Sequence, residues 1–142
     1  MKYAISIFAS VMFVAFVVIA APSAAFAQED VSRLLKQLED DSDRFSNSAT
    51  KALDNSKYDG TPLEDQLVRY VREFEDSIDR LKKASDKSEP TAIPAKEVMT
   101  RAKAVDKFMR RNTLSSAAET DWITVKADLA RLARAYNLKP LA

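Results

Sequence analysis

A chain of 142 residues with 22 Lys and Arg, 21 Asp and Glu, a single Gly and neither Cys nor His excludes more than it names. Without Cys there is no disulfide framework, no thiolate metal site and no lipid attached at a cysteine; without His the commonest metal ligand and general base are missing. A formal net charge of +1 gives no global pull towards nucleic acid or anionic lipid, and one Gly leaves little for the turns of β-rich folds or for phosphate-cradling loops.

The first 27 residues have the pattern of a secretory signal. Lys2 gives a positive start, Ala4–Ala21 is apolar apart from Ser6 and Ser10, Pro22 and Ser23 end the run, and Ala25-Phe26-Ala27 offers an A-x-A cleavage site. Residues 4–21 are also close to the length of a membrane-spanning helix, so a retained anchor is the competing reading. Cleavage is preferred because Pro22 and the small residues follow at the expected distance and no basic stop-transfer cluster does. Two segments result: a signal peptide over 1–27 and one domain over 28–142, periplasmic or secreted. The signal holds one base and no acid, so the remainder is balanced in charge.

Apolar spacing then predicts four helices. Val31, Leu35, Leu38, Phe45, Ala49 and Ala52 share one face of a helix over about 29–57, closed by Tyr58-Asp59-Gly60 with Gly60 in a left-handed exit. Thr61-Pro62-Leu63-Glu64 reads as a capping box with Pro at the first helical position. Leu67, Tyr70, Phe74, Ile78 and Leu81 follow at 3–4 spacing, and Arg72/Asp76, Asp76/Arg80 and Asp79/Lys83 form an i,i+4 charge ladder on the polar face. Residues 84–94 are the longest linker. Pro94 opens a third helix with Val98, Ala102, Val105 and Met109 inward, Met99 and Phe108 flanking, and Asn112 as a left-handed exit. Ser116-Ala117-Ala118-Glu119 reads as a second capping box, before Trp122, Val125, Leu129, Leu132 and Tyr136; Asn137 and Pro140 stop the fourth helix. Short connections and apolar stripes on all four predict an all-α, antiparallel up-down four-helix bundle.

Chemistry is harder to find. Di-iron carboxylate sites, bundle haem and attached haem all need His or Cys, so no cofactor and no metal are expected. The acidic run Glu39-Asp40-Asp41-Ser42-Asp43 reads as a solvated helix face. Asn55–Gly60 resembles a calcium loop only faintly, since Lys57 would stand at a ligand position and Gln66 where the bidentate Glu belongs. No serine has an evident base beside it, and no enzyme activity is expected. Trp122, Phe74 and Tyr136 lie on apolar stripes and read as core rather than as a ligand platform; Tyr58 and Phe108 are better candidates for partial exposure.

Charge is uneven along the chain. Residues 28–60 carry 8 acids and 5 bases, whereas residues 88–113 carry 3 acids and 6 bases. Either the acidic first helix lies beside the basic third, the preferred account, or the third helix presents a basic face to an anionic partner through Lys103, Lys107, Arg110 and Arg111.

The segment Tyr70-Val71-Arg72-Glu73-Phe74-Glu75-Asp76, with Asp79-Arg80-Leu81, Arg101-Ala102, Asp106-Lys107-Phe108-Met109 and the ending Asp121-Trp122, Asp128-Leu129, Leu132-Ala133, Tyr136-Asn137, resembles uncharacterised exported helical-bundle proteins of environmental bacteria over about residues 61–138. That resemblance implies a fold and an address and no activity. Periplasmic stress chaperones are similar in size and helicity, but their Leu-Thr-x-x-Gln repeats are absent here. The sequence thus points to an exported, non-enzymatic protein with a structural or protein-binding role. Its partner would be an envelope or extracellular protein, with no nucleic acid and no stable membrane insertion after cleavage. A chaperone-like protein or a binder of anionic ligands or envelope surfaces is the alternative.

Overall fold

The computed structural model describes residues 24–141, with side chains from Asp30 onward. The apolar run 4–21, and with it the choice between cleaved signal and anchor, lies outside the described residues; Ala25–Ala27 fall in the first turn of α1. Four helices follow in order: α1 (Ala24–Asp54), α2 (Pro62–Asp86), α3 (Ala92–Arg111) and α4 (Ser116–Ala135), with no strand among the described residues. None of these helices is long and apolar enough to cross a membrane.

Each helix has two backbone neighbours. α1 lies most extensively against α4 and also against α2, α2 lies against α3, and α3 and α4 make the fewest close backbone approaches. The backbones of α1 and α3, and those of α2 and α4, lie diagonally across the bundle and make no close approach. The four helices therefore enclose one core, which holds Leu35, Leu38, Phe45, Leu67, Phe74, Ile78, Leu81, Val98, Ala102, Val105, Trp122, Val125, Leu129 and Leu132. Val31, Tyr70, Met109 and Tyr136, expected in the core, are only half-buried at its margin. Phe108, expected to flank the stripe with partial exposure, is 4% exposed, and Leu34, Leu53, Val71 and Met99 also enter the core.

The helix ends depart from the sequence reading in instructive ways. α1 stops at Asp54, and Gly60 (φ +67°) precedes the Thr61 cap of α2 instead of closing α1. The Thr61-Glu64 capping box does not form: the Thr61 hydroxyl and amide both donate to the Tyr58 carbonyl, so Glu64 Oε2 accepts from the next amide back, Gly60 N–H, at 2.6 Å. α3 starts two residues before Pro94; its missing N–H costs nothing there, because first-turn amides have no intrahelical acceptor. Ser115, not Ser116, caps α4, its hydroxyl accepting from Ala118 N–H at 3.2 Å. Asn112 leaves α3 in an extended conformation (φ −133°), with both its amide and its side chain donating to the Phe108 carbonyl. Asn137 does take the left-handed exit from α4 (φ 51°).

Candidate functional site

The four basic residues of α3 divide into two groups. Lys103, Lys107 and Arg111 recur every fourth residue and share one side of the helix; all three are exposed. Lys107 and Arg111 line a groove of about 420 Å³ between α2 and α3, together with Leu63, Tyr70, Phe108 and the amides of Gln66 and Asn112. No carboxylate lines this groove. Tyr70 is held in place by Gln66, whose amide donates to its hydroxyl at 3.1 Å. Arg110 looks elsewhere: its Nε donates to Asp106 Oδ2 at 2.8 Å.

This placement removes the first account of the uneven charge. Acidic α1 and basic α3 sit across the core from each other, so α3 is not neutralised by α1. The short cross-helix ion pairs of α3 run instead to α2, with Arg101 to Glu73 at 2.8 Å and Arg80 to Glu97 at 2.8 Å, and a longer one joins Asp106 to Lys126 of α4 at 3.8 Å. Arg80 therefore bridges helices, and the intrahelical ladder expected through Asp76 and Asp79 is replaced by pairs between helices.

Three carboxylates are buried, which the sequence reading missed. Asp106 accepts from Trp122 Nε1 at 3.1 Å and from Arg110, and Lys126 stands 3.8 Å away. Trp122 also stacks at a tilt on Phe45 (centroids 4.9 Å) and edge-on to Phe74 (6.0 Å), so this one side chain reaches all three other helices. Asp41 and Asp128 face each other between α1 and α4 and are 5% and 2% exposed. Arg44 pairs with Asp41, and Arg131 reaches Asp128 at 3.1 Å and Gln37 at 2.9 Å. Burial and the neighbouring Asp41 push the Asp128 carboxyl up to about 6, against the pull of Arg131. Each buried acid occupies a position on an apolar stripe: Asp41 lies between Leu38 and Phe45, and Asp128 between Val125 and Leu132. That was the readable signal.

The run Glu39–Asp43 is accordingly not a solvated face throughout. Asp41 and Ser42 are buried, and Glu39, Ser42 and Asp43 form one wall of a cleft of about 260 Å³ whose other wall is Glu75, Asp76, Ile78 and Asp79 of α2. Burial pushes the Asp43 carboxyl up, helped by Glu39, Asp40 and Asp79. Burial also raises Glu75, the nearby Ser46 hydroxyl offsets this in part, and Asp43, Asp76 and Asp79 raise it further. Lys82 donates to Glu39 across the α1–α2 joint, and that bond raises the ammonium's affinity for its proton.

The turn between α1 and α2 brings carboxylate oxygens of Asp54, Asp59 and Glu64 within 4.8 Å of one another, so the residues near the supposed calcium loop do converge, with Glu64 in place of Gln66. Asp54 and Asp59 are exposed, and the half-buried Glu64 already accepts from Gly60 N–H. A wider groove of about 640 Å³ runs between the second half of α1 and the α3–α4 connection, where Arg44 and Lys51 oppose Asp121 among Asn47, Ser48 and Ser56. Set against models of protein families, curated proteins and solved structures, the chain matches none of them.

Proposed function

We propose that this is an exported, non-enzymatic binding protein, cleaved after Ala27, whose α2–α3 groove holds an acidic group of an envelope or extracellular protein. The observation that carries the reading is the pairing of Lys107 and Arg111 over Leu63, Tyr70 and Phe108 in a groove without a carboxylate. Two cations beside an apolar floor suit a carboxylate next to an apolar side chain, the cations fixing the charge and the aromatic rings supplying contact area. Lys103, one turn earlier, extends the positive side. Support for a non-catalytic role comes from the buried carboxylates: Asp41 and Asp128 line none of the three grooves described above, so a substrate bound in any of them does not meet these acids.

The antiparallel up-down topology belongs to the same proposal. It is supported by contacts in which residue number rises on one helix as it falls on its neighbour: Glu39 with Lys82 and Ser46 with Glu75, Glu73 with Arg101 and Arg80 with Glu97, Gln37 with Arg131 and Phe45 with Trp122.

The test is a photo-crosslinking residue at Ala104, on the groove wall, in cells exporting the full chain, with mass spectrometry of the product. One stoichiometric envelope protein is expected, and it should vanish with Lys107→Glu/Arg111→Glu. A product unaffected by that charge reversal, or a broad set of unfolded proteins, would sink the reading, the latter in favour of a chaperone. N-terminal sequencing of the exported protein should begin at Gln28; retention of residues 4–21 would make it an anchored protein instead.

A further inference from the structure

The α1–α2 cleft holds five carboxylates and too few cations. The ladder expected along α2 would have neutralised Asp76 and Asp79, but Arg80 is drawn off to Glu97. Among the described residues no Lys or Arg nitrogen lies within 4.0 Å of Asp43, Glu75, Asp76 or Asp79. Of the five, among the described residues only Glu39 is paired with a cation, Lys82. Below the carboxylates Ser42 lines the same cleft, 1% exposed, and its hydroxyl oxygen has no hydrogen-bond partner. A buried hydroxyl is rarely left unbonded, because the loss costs about 1–3 kcal/mol unless a ligand or water satisfies it.

We infer that this cleft is a binding site for a linear aliphatic polyamine, its ammonium groups held between the α1 row Glu39–Asp43 and the α2 row Glu75–Asp76–Asp79, with Ser42 Oγ as a further acceptor. The chain already contains one such contact, since the Lys82 alkylammonium bound to Glu39 is the same chemical group at the same cleft.

Two features select a polyamine over a metal ion, and a third selects it over a protein segment. A divalent cation needs oxygens converging on one point, and the one trio of carboxylate oxygens among the described residues that lies within 4.8 Å is in the α1–α2 turn, not here. The cleft acids are instead spread along two helices, where Glu39/Asp43, Glu75/Asp79 and Asp76/Asp79 are three or four positions apart and hence about 5–6 Å apart. Amine nitrogens separated by three or four methylenes are also about 5–6 Å apart, from ordinary bond lengths. Finally, the volume of about 260 Å³ admits a slender chain and not a folded segment of another protein. Mutual repulsion among Asp43, Glu75, Asp76 and Asp79 is a standing cost in the empty cleft that a polycation removes.

The cleft lies between α1 and α2 and the basic groove between α2 and α3, with no lining residue in common, so the two sites can be tested apart. The experiment is a titration of the ¹⁵N-labelled exported protein with spermidine at neutral pH and low salt, followed by amide shifts and by calorimetry. Saturable shifts confined to residues 39–46 and 72–82 are expected. Affinity should fall about tenfold or more in Glu75→Gln/Asp79→Asn, the loss of charge-assisted hydrogen bonds. Asp65→Asn/Glu119→Gln, the same charge change at sites away from the cleft, should leave affinity unchanged. Equal losses in both double variants would reduce the effect to net charge and overturn the proposal. So would shifts spread over the whole surface, calcium competing at equal concentration, or a lysine-rich peptide saturating the cleft where spermidine does not. Ser42→Ala should weaken binding without shifting the thermal midpoint downward, since the free protein gives that hydroxyl no partner.

Discussion

Asp128 on α4 lies with its carboxyl against that of Asp41 on α1, and neither side chain is more than a tenth exposed. Two carboxylates so placed cannot both stay charged cheaply, and Asp128 keeps its proton up to about 6. In the unfolded chain an aspartate releases its proton near about 3.9. Between those values the folded state binds more protons, so the stabilisation from this group is complete below the lower value and is lost as pH rises through about 6. Asp128→Asn supplies the uncharged shape at every pH. It should therefore unfold at higher urea concentration than the parent at about pH 7.5, with the gap closing at about pH 4. A constant gap over that range would mean that Asp128 is ionised throughout.

Trp122 joins α4 to the other three helices through Phe45, Phe74 and Asp106. Trp122→Ala should cost about 3–5 kcal/mol in denaturant unfolding, as for other large buried aromatics. Trp122→Phe keeps most of the ring area but removes the indole donor from Asp106, and about 1–3 kcal/mol is expected. A loss below 1 kcal/mol for the alanine variant would contradict the burial seen here.

Gly60 occupies the left-handed region with open space where a Cβ would stand. Gly60→Ala should thus destabilise by backbone strain alone, about 1–2 kcal/mol. Gly60→Asn, a residue that tolerates this conformation, should recover part of that loss in the same thermal melts.

Lys107 and Arg111 are exposed and make no ion pair within 4.0 Å among the described residues. Replacing both with Ala should change stability by no more than about 0.5 kcal/mol while removing partner binding. Arg101→Ala breaks pairs to Glu73 (2.8 Å) and Glu97 (3.7 Å) and should still cost only about 0.2–1 kcal/mol, because all three side chains are partly solvated. Chemical denaturation of the two variants side by side, set against their partner crosslinking, separates the binding role from the structural one.

The helices were legible because their apolar residues recur at the helical period, and because Pro62 and Asn137 stand where helices start and stop. The caps were less legible: whether Ser115 or Ser116 caps α4 depends on one backbone angle, which two adjacent serines do not encode. The buried acids escaped for a different reason. Asp41, Asp106 and Asp128 sit on apolar stripes, but an acid there reads as the stripe's edge until its partner on another helix is known. Ion pairs were the least legible of all. Arg80 had Asp76 within reach on its own helix and Glu97 on the next, and only the packing of α2 on α3 decides between them. The groove at Lys107 and Arg111 was half-read: the sequence supplied the cations, while Tyr70 and Leu63 come from a different helix.

The position of Trp122 has an optical consequence. It is the single tryptophan of the chain, so all indole emission arises at the point where the four helices meet. Withdrawal of α1 or α2 would take away an aromatic neighbour, and withdrawal of α3 would take away a carboxylate. The molecule therefore carries its own gauge of which helix has moved: solvent entry along α1 or α2 shifts the emission to longer wavelength, whereas loss of Asp106 alone changes intensity before colour.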